Sequence, residues 1–529
     1  MLNALKHTLA VALLSTLPCH GFASASNTPL DEKSVDVLVE SAMSNFQVPG
    51  VAVGIIKDGK VVLSKGYGVR ENGKPSPVTP ETLFSIASVS KAFTAAALAL
   101  LVDDGLLRWE DKVTKHLPQF QLYDPWVTRE FAVRDLLIHN SGLGIGAGDL
   151  MFWPSSDTSR EDIIANLKHL KPVSSFRSEF AYDNLLYIAA GELVLAITGK
   201  SFEDFVDQRI LRPLQMNHCA ANRTRLKQEN NIAEPHILAQ GNLEKATRLE
   251  AVHEPAVIAA AGGLQCSVDS LLQWLAMHLN EGVTADGKQF LSKQQQANLV
   301  GAHTLIGISE LEHQWFNTRF RSYGLGWEVK DVYGYKWIGH GGSLLGMVST
   351  VAMIPELDLG IVVLTNQQSG SALDTIVFSI LDAYAGQEKN NWIARFKSLD
   401  EESTTEADQI LIKIEDNREP FDASLDNFVG VYRDQWFGDV EISAQDQGLY
   451  FRSKRSTRLR GKMIPYRGNV FTVHWDDRSL DADAYINFST DFNGHPNGMT
   501  MQAISPATDF SYDFHDLSFV RTDPPKELP

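Results

Sequence analysis

Alternating and continuous apolar runs bracket the region up to about residue 390, and helical periods fill the space between them. Residues 51–57 (Val51-Ala52-Val53-Gly54-Ile55-Ile56-Lys57) and 60–64 flank Asp58-Gly59, a pairing that predicts a β-hairpin. From about residue 80 to about residue 317 the signals are mainly helical. The run after Ser88 (Ala92-Phe93-Thr94-Ala95-Ala96-Ala97-Leu98-Ala99-Leu100-Leu101) is apolar nearly all round, which predicts a buried central helix. Further helices are predicted over 201–211, after Thr198-Gly199, and over 268–279, after Ser267. Strands return at 335–339, 346–354 and 359–365, with Pro355 and Glu356-Leu357-Asp358 turning between the last two, and a helix closes the region at 372–384. Strands at both ends with helices between them require the two ends to meet in one sheet.

The pattern then changes. Residues 388–417 are polar and charge-rich, least structured around Glu401-Glu402-Ser403-Thr404-Thr405-Glu406, and read as a linker ending near Glu419-Pro420. Beyond it come short alternating strands at 428–432, 439–442, 448–452, 470–474, 484–488, 499–503 and 517–521. So many strands in so short a stretch predict a small barrel or sandwich. The organisation is therefore residues 1–25 as a leader, 30–387 as one domain, 388–417 as linker and 418–525 as a second, all-β domain.

Composition narrows the class. A chain of 529 residues with 44% hydrophobic and 21% charged content is long enough for two cores. A formal net charge of −18 argues against a nucleic-acid partner. At the N-terminus Lys6, the apolar stretch 9–17 and Ala23-Ser24-Ala25 have the form of a signal peptide. Cleavage is expected after Ala25, placing the protein in a periplasm or outside the cell. No later segment is expected to span a bilayer. Cys219 and Cys266 then remain, and the sequence leaves open whether they pair.

Three short strings carry chemistry: Ser88-Val89-Ser90-Lys91, Tyr182-Asp183-Asn184 and His340-Gly341-Gly342. Residues three apart share a helix face, so the Lys91 amine falls one turn above the Ser88 hydroxyl, and Ser90 points elsewhere. No other serine in the chain has lysine three positions later. A free serine hydroxyl is too weakly acidic to attack a carbonyl unaided, so a base must take its proton. Lys91, desolvated at the start of a buried helix, and Tyr182, its phenolate stabilised by a nearby cation, are both candidates. Tyr485-Ile486-Asn487 also fits the second string, but it falls on a predicted strand of the second domain.

The ordered set resembles the three signatures of the serine β-lactamase and penicillin-binding-protein superfamily, and more closely its class C β-lactamase, D-peptidase and esterase branch (serine peptidase family S12). The likeness spans roughly residues 35–390 and includes Leu136-Leu137-Ile138-His139-Asn140-Ser141-Gly142-Leu143 and Tyr323-Gly324-Leu325-Gly326-Trp327. It implies an α+β fold, an antiparallel sheet flanked by helices plus an all-helical lobe, with the catalytic cleft between them. The Ser88 helix would start beside an edge strand carrying His340. The resemblance assigns Ser88 as nucleophile, Lys91 and Tyr182 as the proton-transfer pair, and Asn184 as partner to Lys91 and substrate. His340 and Gly342 line the substrate strand, and the backbone N–H groups of Ser88 and Ser343 form the oxyanion hole. His340 stands where β-lactamases carry lysine, and Gly341 where they carry threonine or serine, which removes a cation and a hydroxyl suited to a substrate carboxylate. The all-β tail looks like the lipocalin-like domain appended to some members.

The expectation is an exported serine hydrolase that cleaves amide bonds of small peptides, cell-wall peptides and D-residues included. A carboxylesterase, a weak β-lactamase and a non-catalytic penicillin-binding sensor are the alternatives. No metal or cofactor is expected. One further pattern concerns Arg452, Lys454, Arg458, Arg460 and Lys462, whose shared parity would give the second domain a basic face able to guide anionic substrates.

Overall fold

The computed structural model describes residues 30–226, 230–239, 241–248, 256–445 and 448–522. The expected leader lies outside these residues. The first domain is built on an eight-stranded antiparallel sheet. Its strands are β1 (Gly50–Lys57), β2 (Lys60–Gly68), β3 (Thr304–Leu305), β4 (Arg321–Tyr323), β5 (Glu328–Val332), β6 (Tyr335–Leu344), β7 (Met347–Ile354) and β8 (Leu359–Thr365). They lie in the order β2-β1-β8-β7-β6-β5-β4-β3. Asp58 and Gly59, both at positive φ, turn the β1–β2 hairpin. β1 pairs with β8 from Val51↔Thr365 to Lys57↔Leu359, so the two ends of the domain do meet.

β1 and β8 read as unbroken apolar runs because both faces of the sheet are covered. Val53, Ile55, Ile361 and Val363 face helices α1 (Glu32–Phe46) and α5 (Gly370–Tyr384) through Val39, Ile376 and Ile380. Ala52, Ile56, Val362 and Leu364 face the other way, into the core of the helical lobe. That lobe centres on α2 (Ser90–Asp103), α3 (Leu185–Thr198) and α4 (Val268–Leu279). α2 is buried from Ser90 to Leu101, as its apolar sequence requires, and Phe93 stacks on Trp274 of α4 at 4.2 Å. Among the described residues no single helix is long and apolar enough to cross a membrane.

Three features differ from or complete the sequence reading. Cys219 and Cys266 form a disulfide between two short paired strands. The segment read as a linker contains a 25-residue helix, α6 (Trp392–Asp416). Its buried residues are only Trp392, Phe396 and Ile414, too sparse to register as an amphipathic period. The strand carrying His340 is interior to the sheet order rather than an edge. β5 pairs with β6 only as far as Glu328↔Gly339, however, so residues 340–344 run beyond β5 and hold a partner, β7, on one side alone.

The second domain is a closed antiparallel barrel of β9 (Gly430–Asp434), β10 (Gly438–Gln445), β11 (Gly448–Ser453), β12 (Arg460–Arg467), β13 (Val470–Trp475), β14 (Ala484–Thr490), β15 (Pro496–Ala503) and β16 (Ser518–Arg521). Tyr432, Phe451, Phe471, Trp475, Phe488 and Phe519 are buried in its core. The predicted basic face is largely neutralised: Lys454 pairs with Glu441, Arg458 with Asp477 and Arg460 with Asp476. The connection from β15 to β16 leaves the barrel and packs against the first domain. Asp513 on it accepts from the Gly148 and Leu150 backbone N–H groups at 2.6 and 3.1 Å.

Candidate active site

Ser88 sits on a short 3₁₀ turn, Ala87–Val89, that feeds α2. Ala87 holds a positive φ of 47°, a strained conformation of the kind that concentrates at working sites. The turn leaves Ser88 partly exposed to the cleft while its neighbours are buried. Behind it, Phe84–Ser85 pairs with Gln265–Cys266, the strand that carries the disulfide. Ser90 points away, as expected, and its Oγ accepts from Leu264 N at 3.1 Å.

Lys91 is fully buried beneath Ser88. Its Nζ donates to Ser88 Oγ at 3.0 Å, to Asn184 Oδ1 at 2.7 Å and to the Ala261 carbonyl at 2.8 Å. Burial pulls its pKa down to about 7, against the opposing pull of Asp149 and Asp183. The amine is thus a base near neutral pH. Tyr182 lies across it, with Nζ 4.7 Å from the ring centroid. The Tyr182 hydroxyl is buried without a completed hydrogen bond. Burial pushes its pKa up, and the adjacent Ser88 hydroxyl offsets only a part of that. Of the two candidate bases, Lys91 is the one in hydrogen-bond contact with Ser88, and Tyr182 stands beside it.

β6 forms the opposite wall. Gly342 passes so close to the turn before Ser88 that a Cβ would stand 2.3 Å from the Ile86 carbonyl oxygen. Ser349, its neighbour across the β6–β7 ladder, donates to the same carbonyl at 2.8 Å. His340 is buried. Its Nδ1 lies 2.5 Å from the Gly341 carbonyl and its Nε2 lies 2.7 Å from the Tyr323 hydroxyl. A carbonyl only accepts, so Nδ1 carries the proton and Nε2 accepts from Tyr323. Burial and the nearby Lys91 lower the His340 pKa to about 4, so it is neutral where Lys91 titrates.

Ser88, Tyr182, Asn184, His340, Gly342 and Ser343 line one cavity of about 490 Å³, with Lys91 below its floor. Its remaining walls include five aromatic residues, Phe152, Trp153, Phe180, Tyr323 and Phe510, beside aliphatic side chains such as Ile258, Ile306 and Leu373. Arg321 also reaches it but binds Glu328 through two nitrogens at 3.1 Å and Glu312 through a third at 3.1 Å. Among the described residues no group of three or more potential metal-binding side chains occurs.

Several site residues escaped the sequence reading. Tyr323 and His139 stood in strings noted only as flanking similarity. His139 packs on Tyr182 at 4.3 Å and its Nδ1 accepts from Asp183 N at 3.0 Å. Asp149 accepts from Asn184 Nδ2 at 2.7 Å, and Ser511, from the barrel domain, donates to the same oxygen at 2.8 Å. No local signal marks either residue.

Comparison with known families agrees with this geometry. The Beta-lactamase family model matches residues 35–382. The chain belongs to the beta-lactamase family. A second model, a domain of unknown function (DUF3471), matches residues 415–521, which cover the barrel. "Unguisins hydrolase ungD'" of Aspergillus campestris is 28% identical over 68% of this chain and 66% of its own length. "Protein flp" of Staphylococcus aureus strain MW2 is 26% identical over 64% of each. This chain thus spans just under two thirds of these relatives. Among solved structures, the octameric penicillin-binding protein homologue from Pyrococcus abyssi matches with a TM-score of 0.60 at 22% identity, over 93% of this chain and 100% of that one. The crystal structure of SurE matches with a TM-score of 0.55 at 19% identity, over 93% and 98%. At these identities the structural likeness speaks for the fold, and both domains are included in it. The beta-lactamase family fold and the Ser88–Lys91 geometry together describe a serine hydrolase-like site.

Proposed function

We propose that this beta-lactamase-family protein is a peptidase of the S12 type, cleaving amide bonds of small peptides through an acyl-enzyme on Ser88. The observation that carries the reading is the 3.0 Å contact between Ser88 Oγ and a buried Lys91 whose pKa lies at about 7. Ser88 Oγ attacks the carbonyl carbon while Lys91 takes its proton, and charge builds on the carbonyl oxygen beside the Ser88 and Ser343 backbone N–H groups. The Lys91 ammonium returns the proton to the leaving nitrogen. A water molecule then attacks the acyl-enzyme, giving a proton to Lys91, which passes it to Ser88 Oγ as the ester bond breaks and the acid product leaves.

The cavity favours substrates without a carboxylate next to the scissile bond. Arg321 is the only lysine or arginine lining it among the described residues, and both of its carboxylate partners are already in place. His340 is neutral. A β-lactam, which carries such a carboxylate, therefore finds no free cation here. Peptides containing D-residues, cell-wall peptides among them, remain within the reading, through the resemblance of His340 to the D-peptidase branch. The aromatic walls favour bulky uncharged groups, and this also supports a second reading, carboxylesterase.

Export belongs to the proposal. The leader-like N-terminus supports it, and so does the Cys219–Cys266 disulfide, a bond typical of oxidising compartments. The name of the Aspergillus relative, a hydrolase, supports hydrolysis.

The decisive experiment compares amino-acid p-nitroanilides, p-nitrophenyl esters and nitrocefin with the wild-type protein and Ser88→Ala. The expected result is turnover of p-nitroanilides that vanishes in Ser88→Ala. Turnover confined to esters moves the assignment to esterase. Turnover of nitrocefin ahead of both, or activity surviving in Ser88→Ala, overturns it.

A further inference from the structure

The barrel domain reaches the catalytic lysine through one chain of hydrogen bonds. Ser511 and Asp149 are 362 residues apart in sequence, and Ser511 Oγ donates to Asp149 Oδ2 at 2.8 Å. The same oxygen accepts from Asn184 Nδ2 at 2.7 Å. The Asn184 amide then presents its own oxygen to Lys91 Nζ at 2.7 Å. All four side chains are buried. We infer that the barrel domain is a working part of the active site: Ser511 and Asp149 are positioning residues that hold the Asn184 amide with its oxygen on Lys91.

The contacts around this chain fix its parts. An amide has one accepting and one donating end, and only the donating end satisfies a carboxylate oxygen. As a carboxylate, Asp149 therefore forbids the flipped amide, which would aim N–H groups at the lysine. Asp149 in turn sits between Gly148 and Leu150, whose N–H groups are both held by Asp513 of the barrel. In the same segment, Gly146 N donates to the Tyr182 carbonyl at 2.8 Å. Phe510 closes the contact, its ring edge-on to Tyr182 at 5.7 Å. Three residues of this connection, Phe510, Ser511 and Asp513, thus clamp the strip from Gly146 to Leu150 onto the Tyr182-Asp183-Asn184 string.

The clamp has an electrostatic consequence. The groups facing Lys91 are Ser88 on its own turn, Asp149 from the clamped strip, and Tyr182, Asp183, Asn184 and Tyr187 from α3 and its lead-in. His139 and His340 complete the set, and burial keeps both neutral near pH 7. Burial raises the Asp149 pKa well above the usual carboxylate value, against the lowering effect of the Asn184 and Ser511 hydrogen bonds, and its carboxylate form in turn raises the Lys91 pKa. Removing either the hydroxyl or the carboxylate charge should therefore lower the pH at which Lys91 loses its proton.

This inference rests on the Ser88 acyl-enzyme reading, so the test uses a probe of that step that needs no known substrate. The rate at which a fluorophosphonate labels Ser88 is measured against pH for full-length wild type, Ser511→Ala and Asp149→Asn, with thermal melting of each. The expected result is that the acidic limb moves to lower pH by roughly half a unit or more in both variants. Ser511→Ala, which removes a single hydroxyl, decides the matter, and Asp149→Asn repeats the test while keeping a carboxamide in place. An unmoved limb in Ser511→Ala that melts like wild type overturns the inference and leaves the hydrolase reading intact. Failure of wild type itself to be labelled at Ser88 overturns both.

Discussion

The proposed chemistry turns on one lysine whose burial brings its pKa down to about 7. Below its pKa of about 7 Lys91 carries a proton and cannot accept another, so Ser88 acylation must rise with pH through that value. Titration of kcat/KM on any turned-over substrate should show an acidic limb centred near pH 7. A limb near pH 4 would instead point to His340, whose pKa lies there. Lys91→Arg is the sharper variant, because a guanidinium stays protonated across the accessible range. It should reduce kcat/KM by at least about 10³-fold at every pH, and a surviving pH-dependent limb in that variant would move the base assignment to Tyr182. Ser88 and Lys91 could be found in the sequence because a helix turn fixes their separation. Asn184 and His340 came with their strings. Tyr323, Asp149 and Ser511 could not be found, because each owes its place to a loop or strand whose path is decided by packing far from it.

At the level of elements, the site depends on how closely β6 approaches the turn that presents Ser88. The Gly342 Cα lies where any side chain would strike the Ile86 carbonyl, and that carbonyl is also fixed by Ser349 from β7. Gly342→Ala cannot be absorbed by a rotamer change, since the obstacle is backbone. The strand must move outward, which should cost about 1–3 kcal/mol of stability and displace Ser343 from Ser88. A loss in kcat of about 10²-fold or more is expected, whereas Gly341→Ala, which meets nothing closer than 3.9 Å, should be far milder. Equal kinetics in the two variants would show that close approach is not what the glycine provides. The disulfide acts at the same scale. It joins the strand of Gln265–Cys266 to that of Cys219–Ala220, and the former backs the Ser88 turn. Closing a separation of 47 residues typically adds about 2–4 kcal/mol, so dithiothreitol should lower the melting temperature of wild type but not of Cys219→Ala. The hairpin, the central helix and the barrel strands were legible because their apolar periods are strong. α6 was not, because a solvated helix with few buried side chains has the composition of a linker.

Among the contacts that join the barrel to the first domain is a buried carboxyl, Asp513, and this gives the junction a pH dependence of definite sign. Asp513 is fully buried. Burial, reinforced by Asp149, raises its pKa well above the usual carboxylate value, against the lowering effect of the Gly148 and Leu150 N–H groups. A carboxyl whose native pKa exceeds its unfolded one binds more protons when folded. Its contribution to stability is fully present below the ordinary carboxylate pKa of about 4, and it is lost progressively as pH climbs to the raised native value. The domain junction should therefore loosen as the medium becomes more alkaline, over a range in which Lys91 also loses its proton. Asp513→Asn cannot titrate and keeps one acceptor for the two N–H groups. It should melt lower than wild type at about pH 5, where one backbone hydrogen bond is lost, and close the gap towards about pH 8. Parallel melting curves for the two proteins across that range would show that Asp513 does not govern the junction. Convergence would show that the barrel holds the strip beside the proposed catalytic cleft most tightly at the pH values where Lys91 is protonated.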